Sequence, residues 1–528
     1  MPSCPKCGEK VHKAGTGRGG VQRWRCAKDV EGRRVLCWNG HNPVGSEEAK
    51  SQGIDAKAVK KLHRKLKDDK REVKRYVITA AQNATPVKAE FLATLLGYCK
   101  HQRAQLVVIP YRYKNPTSMW SKKAETDDWW AEELKPYLLD RRWEINKHLV
   151  VLADIKVQPT ANSPLQGFET ISGGKSAIIG HPKLELSTIA TPQNRLPKIL
   201  TTTGAVTEMN YIQSKAGKKG EHHHTFGACV VEQDGNLFHM RQINALRDGT
   251  FIDLGWEYLG ADRMLAKRAA ALVMGDSHVR FIDPLVVKAT FGCGGMVELL
   301  QPERLVWHDV NDFHSASHHD KGNVMVSFVK HHAGLTNVEK ELDQTFKFID
   351  EHTPKNVINV FVPSNHSHDF LRRWINDTDP RQDPENCVFW AKTFSAMCES
   401  AHMAKNGEKY IEPFTYWAKR KLKTASQGVF LDYDQSYQVL GVELGMHGHH
   451  GANGARGSLL SFGRIGVKSI SGHGHSPAIK DGAYRTGTST YLRLGYNVGL
   501  SSWLQTHCVE YANGKRCLLN IIDGEFRA

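Results

Sequence analysis

Five short stretches in the second half of the chain carry side chains that bind divalent metal ions. Asp276-Ser277-His278 closes the apolar run that starts at Leu272, and Gly472-His473-Gly474-His475 closes another that ends at Ile470. Between them stand His308-Asp309-Val310-Asn311-Asp312, Ser364-Asn365-His366-Ser367-His368-Asp369 and Met446-His447-Gly448. Carboxylate oxygens, an amide oxygen and imidazole nitrogens make a hard-to-borderline donor set. That set suits Mn, Fe or Zn better than Ca or Mg alone.

Ligands this scattered need a scaffold that gathers them. Residues 272–275, 356–362, 438–444 and 468–470 read as strands, each running into one of these loops. Sites in α/β sheets form beyond the carboxyl ends of strands, so one sheet edge would collect the side chains. A helix-like segment is expected to end between Arg268 and Leu272, and another, 337–350, to precede the third strand.

The order of these motifs resembles that of the calcineurin-like metallophosphoesterases, a family that includes DNA-repair nucleases of the SbcD type. Their pattern is Asp-x-His, Gly-Asp-x-x-Asp, Gly-Asn-His-Asp/Glu, His and Gly-His-x-His. Here His308 replaces the glycine of the second motif, Ser364 the glycine of the third, and Ser367 its acid. The resemblance implies an α/β fold, a metallophosphoesterase-type ββ-sandwich flanked by helices, over residues 266–528. It also implies two divalent cations, with manganese favoured. Asp276, His278 and His475 would hold the first, Asn365, His447 and His473 the second, and Asp309 would bridge them. In the fourth motif His447, first after its strand, is preferred over His449. Two such ions lower the pKa of a shared water and clamp a phosphate oxygen. The resulting hydroxide would attack phosphorus in line, with His366 facing the leaving oxygen as donor or general acid. Other histidines, among them His314, His318, His319, His331 and His332, read as loop or surface residues.

The amino-terminal 45 residues read as a separate module. Cys4-Pro5-Lys6-Cys7-Gly8 has the form of a zinc knuckle, Cys26 ends a strand-like run, and Cys37 is the expected fourth ligand with His41 as its rival. The pattern resembles the zinc ribbons at the front of transposases and other DNA-binding proteins, although ten residues rather than two separate Cys26 from Cys37. A module this short cannot build an adequate core, so structural zinc would supply most of its folding energy. Residues 46–75 form a basic run that suits a solvated linker helix or a contact with phosphates.

Residues 76–265 read as an α/β domain without chemistry of its own. Strand 76–81, helix 86–100 and strand 105–110 make a βαβ unit, strands follow at 148–152 and 176–179, and 227–231 with 237–240 form a hairpin across Asp234-Gly235. Ser172-Gly173-Gly174-Lys175-Ser176 imitates the end of a P-loop, but the loop's first glycine would fall at Glu169. His222-His223-His224 reads as a polar loop and Cys229 as a packed strand residue. In the last domain, 380–427 reads as a helical insertion whose aromatics and bases either stack a nucleic-acid strand or pack on the core. Residues 487–526 alternate apolar and polar around Asn513-Gly514, a hairpin expected to complete the second sheet of the sandwich.

A chain of 528 residues with 40% hydrophobic and 24% charged residues is an ordinary multidomain globular protein. The net charge of +16 favours a polyanionic partner, here DNA. The start carries no export signal, no run is long and apolar enough to span a membrane, and eleven cysteines suggest reduced thiols in a cytoplasm. In overall architecture the chain resembles the host-DNA-degrading early proteins of large lytic phages, which would make that the host cytoplasm. The first expectation is a metal-dependent deoxyribonuclease. The alternatives are a phosphoesterase for nucleotides or other small phosphoesters, and a DNA-binding scaffold with a degenerate site. A homo-oligomer is compatible with all three.

Overall fold

The computed structural model describes residues 12–16, 22–30, 33–40, 73–113 and 129–527, apart from positions 193, 194, 196, 321 and 496. The first three segments are the strands His12–Thr16, Gln22–Val30 and Arg33–Gly40 of an antiparallel sheet. Cys26 and Cys37 lie on its neighbouring strands, with Cys26 paired to Trp38 and a register shift just after it. A hairpin thus accounts for the long spacing between those two cysteines. Cys4, Cys7, His41 and positions 46–72 of the basic run lie outside the described residues.

The rest is a mixed α/β structure organised around two large sheets. The six-stranded sheet has the order Gly428–Phe430, Ile358–Phe361, Arg304–Trp307, Ala271–Val273, Thr506–Glu510, Arg516–Asn520. Its first four strands are parallel, Thr506–Glu510 runs antiparallel to them, and Arg516–Asn520 turns back antiparallel to Thr506–Glu510. The parallel strands are mostly apolar because both faces are covered, and the polar residue buried among them, Asn359, accepts from Trp307 Nε1–H at 2.9 Å. Val273, Val306 and Val360 point into one apolar cluster, whereas Leu272, Leu305, Trp307 and Phe361 point into another. The second cluster is closed by helices, among them Val338–His352, whose Val338, Leu342, Phe346 and Ile349 form its buried stripe. Asn337 caps that helix by accepting from the Lys340 backbone N–H.

The ten-stranded sheet joins strands on both sides of position 265. Gln438–Val439, Val442–Glu443, Lys468–Ser471, Ala483–Arg485 and Ala478–Lys480 continue into Leu186–Ile189, Lys198–Thr202, Ser176–Ile179, Leu149–Leu152 and Arg142–Asn146. Leu186 pairs with Ile479 at the junction. One apolar cluster takes Val273 and Val306 from the six-stranded sheet, Ile470 and Ile178 from the ten-stranded sheet, and Ile78 and Cys229 from a four-stranded sheet. The segments 76–265 and 266–528 therefore share a core.

The four-stranded sheet contains the expected βαβ unit, with Lys74–Gln82 parallel to Gln105–Tyr111 and helix Ala89–Gln102 between them. The expected hairpin pairs Asp234 with Leu237. Three expectations change. No helix precedes Ala271; Asp262–Leu265 is an exposed strand of a three-stranded antiparallel sheet. Residues 438–444 form two short strands folded back at Leu440-Gly441, both with positive φ, rather than one strand. The hairpin at 506–520 belongs to the six-stranded sheet, beside Ala271–Val273, and not to the second sheet.

The discounted motifs are structural. Ser172–Ser176 links a helix to a strand, the reverse of the strand-to-helix order a phosphate loop needs. His222 and His223 end helix Lys215–His223, and buried His224 meets the Tyr211 hydroxyl at 2.8 Å. Burial pushes the Cys229 thiol up to about 12. In the insertion, helices Cys387–Lys405 and Pro413–Lys421 bury Phe389, Phe414 and Trp417 in the helix-side core, which favours packing over stacking for these rings. No helix among the described residues is long and apolar enough to cross a membrane.

Candidate metal centre

The loops after the parallel strands meet between the two large sheets. Residues 277–279 are zipped to 308–310: the backbone N–H groups of Ser277, His278 and Val279 donate to the carbonyls of His308, Asp309 and Val310 at 3.0, 2.7 and 3.0 Å. On the other sheet, Gly472 N–H donates to the His447 carbonyl at 2.7 Å. A hydrogen bond from His473 N–H to Asp276 Oδ1, 3.1 Å, joins the two pairs of loops.

Two ligand groups emerge. In the first, His475 Nε2 lies 3.0 Å from Asp276 Oδ2 and 3.2 Å from His278 Nε2. In the second, His447 Nε2 lies 3.0 Å from Asp309 Oδ2 and 3.1 Å from Asn365 Oδ1, and His473 is close enough to share an ion with Asp309 and His447. Asp309 Oδ2 is also 3.9 Å from His278 Nε2, so this oxygen stands between the groups. All seven residues expected from the motif order are brought together. His449 goes elsewhere: its Nε2 is 3.5 Å from Asp369 Oδ2, with His450 beside it.

The backbone is bent to make this convergence. His278, Asp309, His473 and His475 have φ of 35°, 39°, 68° and 51°. Such left-handed positions are costly for residues with a Cβ and persist where the surroundings over-determine them. Gly472 is needed for a different reason. A Cβ there would meet Asp276 Oδ1 at 2.3 Å. Asn365–Asp369 forms a π-turn, a rare element that often marks functional positions.

Asp276, His278, Asp309 and His447 are almost completely buried. Burial alone would raise the carboxylates, but His447 and His475 beside Asp276, and His447 and His366 beside Asp309, hold both well below the usual carboxylate range. Burial opposes the charged form of His278, yet Asp312, Asp309 and Asp276 push it up to about 9; Asp309 and Asp276 likewise raise His447. Burial and the neighbouring His447 hold His308 at about 3 and His473 at about 4, and burial lowers His475 against the pull of Asp276.

Asp312 is the functional residue that the motif reading left without a role. Its Oδ1 is 2.9 Å from His278 Nδ1, the nitrogen turned away from the ligand group. A carboxylate on that second nitrogen fixes the tautomer and orientation of a ligating histidine. Its carbonyl accepts from His366 Nδ1–H at 2.7 Å. The spacing from Asp309 was its signal, since both acids sit in one motif. Two substituted positions also have structural roles. Ser367 Oγ accepts from Asn311 N–H at 3.2 Å, and His308 packs its Nδ1 3.3 Å from His447 Nδ1.

The donor set fits cations. Among the described residues, the ion pairs of Asp276, Asp309 and Asp312 are all with histidines. Three carboxylates thus share one buried site with imidazoles as their ion-pair partners. Asp276 Oδ2 has no hydrogen-bond partner, though His475 Nε2 is close, as expected of two atoms aimed at a common point.

Protein A1 of Escherichia phage T5 is 31% identical to this chain over 475 residues, which cover 86% of this chain and 83% of the phage protein. No family model and no solved structure matches the chain.

Proposed function

The chain belongs to the family of Protein A1 of Escherichia phage T5, and from that premise we propose that it is a two-metal-dependent phosphodiesterase of the metallophosphoesterase type that hydrolyses DNA. The observation that carries the reading is the convergence of Asp276, His278, Asp309, Asn365, His447, His473 and His475 from five separate loops onto one buried point. The DNA substrate rests on the net charge of +16 and on the small antiparallel sheet expected to carry structural zinc.

Asp276, His278 and His475 would hold one cation, Asn365, His447 and His473 the other, and Asp309 would touch both. Bound there, two divalent ions, manganese in the first instance, supply an acidic water for attack on phosphorus and positive charge against the developing oxyanion. The protein's part is positioning and proton transfer. Asp309 Oδ1 accepts from the His366 backbone N–H at 3.1 Å, which ties the proton donor to the bridging carboxylate. His366 gives its Nδ1–H to the Asp312 carbonyl, so Nε2 is the atom that exchanges a proton with the leaving oxygen. Its ring is half-buried, in reach of a substrate.

The test uses purified full-length protein with linear and circular DNA, with Mn and with chelator, beside Asp309→Ala and His366→Ala. Metal-dependent cleavage is expected, with His366→Ala slower by about 10²–10⁴-fold and Asp309→Ala deficient in bound metal. Absence of cleavage, or variants as fast as the parent, refutes the assignment. Faster turnover of mononucleotides than of DNA would move the substrate to small phosphoesters.

A further inference from the structure

We infer that a cavity beside His366 receives the nucleoside on the leaving-group side of the scissile bond, an inference that rests on the phosphodiesterase reading above. The cavity has a volume of about 490 Å³, within the range of about 300–1,000 Å³ typical of small-ligand sites. One ring, that of Phe370, separates it from the proposed proton donor, which is not itself part of the lining. The His366 ring is 4.4 Å from that of Phe370, and Phe370 forms part of the cavity wall together with Trp374. On the far side His318 stands edge-on to Phe370 at 4.3 Å.

The walls are set before any ligand arrives. The π-turn carrying His366 runs straight into helix Phe370–Asp377, so donor and wall belong to one continuous element. The opposite wall, 314–320, is pinned from two sides. Glu341 accepts from the backbone N–H groups of His314 and Ser315 at 2.9 and 2.8 Å, and Lys330 Nζ donates to the His314 carbonyl and to Asp320 at 2.5 Å each. Buried Asn386 donates to the Thr336 carbonyl at 2.9 Å and fixes the third side.

The lining selects the kind of ligand. With Asp320 paired to Lys330 and Asp379 to Arg381, Asp377 and Asp383 still outnumber Arg373 in the lining. That balance repels a phosphate. It suits a neutral group with amino and hydroxyl donors and a flat face to lay against aromatic carbon, which describes a nucleobase with its sugar. The phosphate itself belongs to the metal centre on the other side of His366.

Ser327 lines the cavity from helix Val324–His332 and is exposed, away from the metal ligands, so Ser327→Trp fills the space without touching the centre. Three measurements on the full-length protein test the inference. Equilibrium dialysis of labelled 2′-deoxynucleosides against chelated protein should detect binding that Ser327→Trp weakens by about tenfold or more. In Mn, an oligonucleotide with one base-free position on the leaving side should be cut more slowly than the intact strand by the parent and equally by Ser327→Trp. The diester diethyl phosphate, which has neither base nor aromatic ring, should be hydrolysed within about twofold by both proteins. Nucleoside binding that is absent, or equal in parent and variant, overturns the inference. Binding without any hydrolysis would overturn the phosphodiesterase reading and with it the leaving-group assignment, leaving only a nucleoside-binding cavity. Loss of diester hydrolysis in Ser327→Trp together with loss of folding by circular dichroism is resolved with Ser327→Gln, which narrows the cavity less and should weaken binding less.

Discussion

Gly472→Ala tests the metal centre more sharply than removal of a ligand, because it adds one methyl group and takes away no donor. The new methyl would stand 2.3 Å from Asp276 Oδ1 and 3.1 Å from the His308 Cβ. An ordinary contact of about 3.3 Å therefore requires about 1 Å of movement. The backbone cannot easily supply it. Gly472 N–H is held by the His447 carbonyl at 2.7 Å, and Asp276 N–H by the Gly487 carbonyl at 3.1 Å. The Asp276 carboxylate must swing instead, losing the His473 N–H and its alignment with His475. A displacement of about 1 Å in a catalytic array costs about 10²-fold in rate, and overpacking of this kind costs about 1–3 kcal/mol in stability. The expected variant is folded, slightly less stable, short of one equivalent of Mn after gel filtration, and about 100-fold slower on bis(p-nitrophenyl) phosphate. Gly474→Ala is the comparison: the nearest atoms to its methyl belong to the Arg485 side chain, held by the Ser476 carbonyl, and not to a proposed ligand, so its rate should fall less. A Gly472→Ala protein with full metal content and parental rate would refute the placement of Asp276 in the centre.

Asp312→Asn should weaken Mn binding by about 10–100-fold through loss of the carboxylate on His278 Nδ1; a manganese titration of activity that superimposes on the parent's would remove Asp312 from that role. Arg241→Met should destabilise the protein by about 3–5 kcal/mol in urea, because buried Arg241 holds Asp253 at 2.6 and 2.8 Å and Glu232 at 2.8 Å; Asp253 would lose that cation and Glu232 would keep only the longer pair with Arg75 at 3.9 Å. The rate at the metal centre of the folded fraction should not change. Glu510 is fully buried with both oxygens lacking partners, and burial pushes it up to about 8. The unfolded value is about 4.3, so its contribution to stability is full below that pH and is lost as pH rises through about 8. Glu510→Gln should therefore melt near the parent at pH 5 and above it at pH 9; parallel pH profiles would contradict this.

The parts of the fold legible in the sequence are those set by short-range pattern. The strands at 271–273 and 358–361 are buried on both faces, which leaves short, mainly apolar runs in the sequence, whereas 304–307 opens on Arg304 and does not read as a strand. Asn337 and the apolar stripe after it marked a helix start, and Asp234-Gly235 marked a hairpin. Most ligand residues were legible because they follow a strand-like run; Asp309 was found through the order of the motifs instead. Less visible was anything that depends on distant partners. The pairing of Leu186 with Ile479 leaves no local trace, so the ten-stranded sheet could not be read across position 265. Asp262–Leu265 has all four side chains exposed and no alternation to identify it as a strand. Leu440-Gly441 folds a seemingly single strand back on itself through two left-handed residues, one of them a leucine that pattern alone would not put there.

The sheet that threads both halves sets the order in which this molecule can be completed. During synthesis, the strand Leu186–Ile189 has Lys198–Thr202 on one side, but its other neighbour, Ala478–Lys480, leaves the ribosome only near the end. Until then one open row of peptide groups awaits its match, the state in which nascent chains stick to one another. His447, His473 and His475 arrive with the same late strands that close the row, so the candidate metal-ligand set and a sealed edge are completed at the same moment.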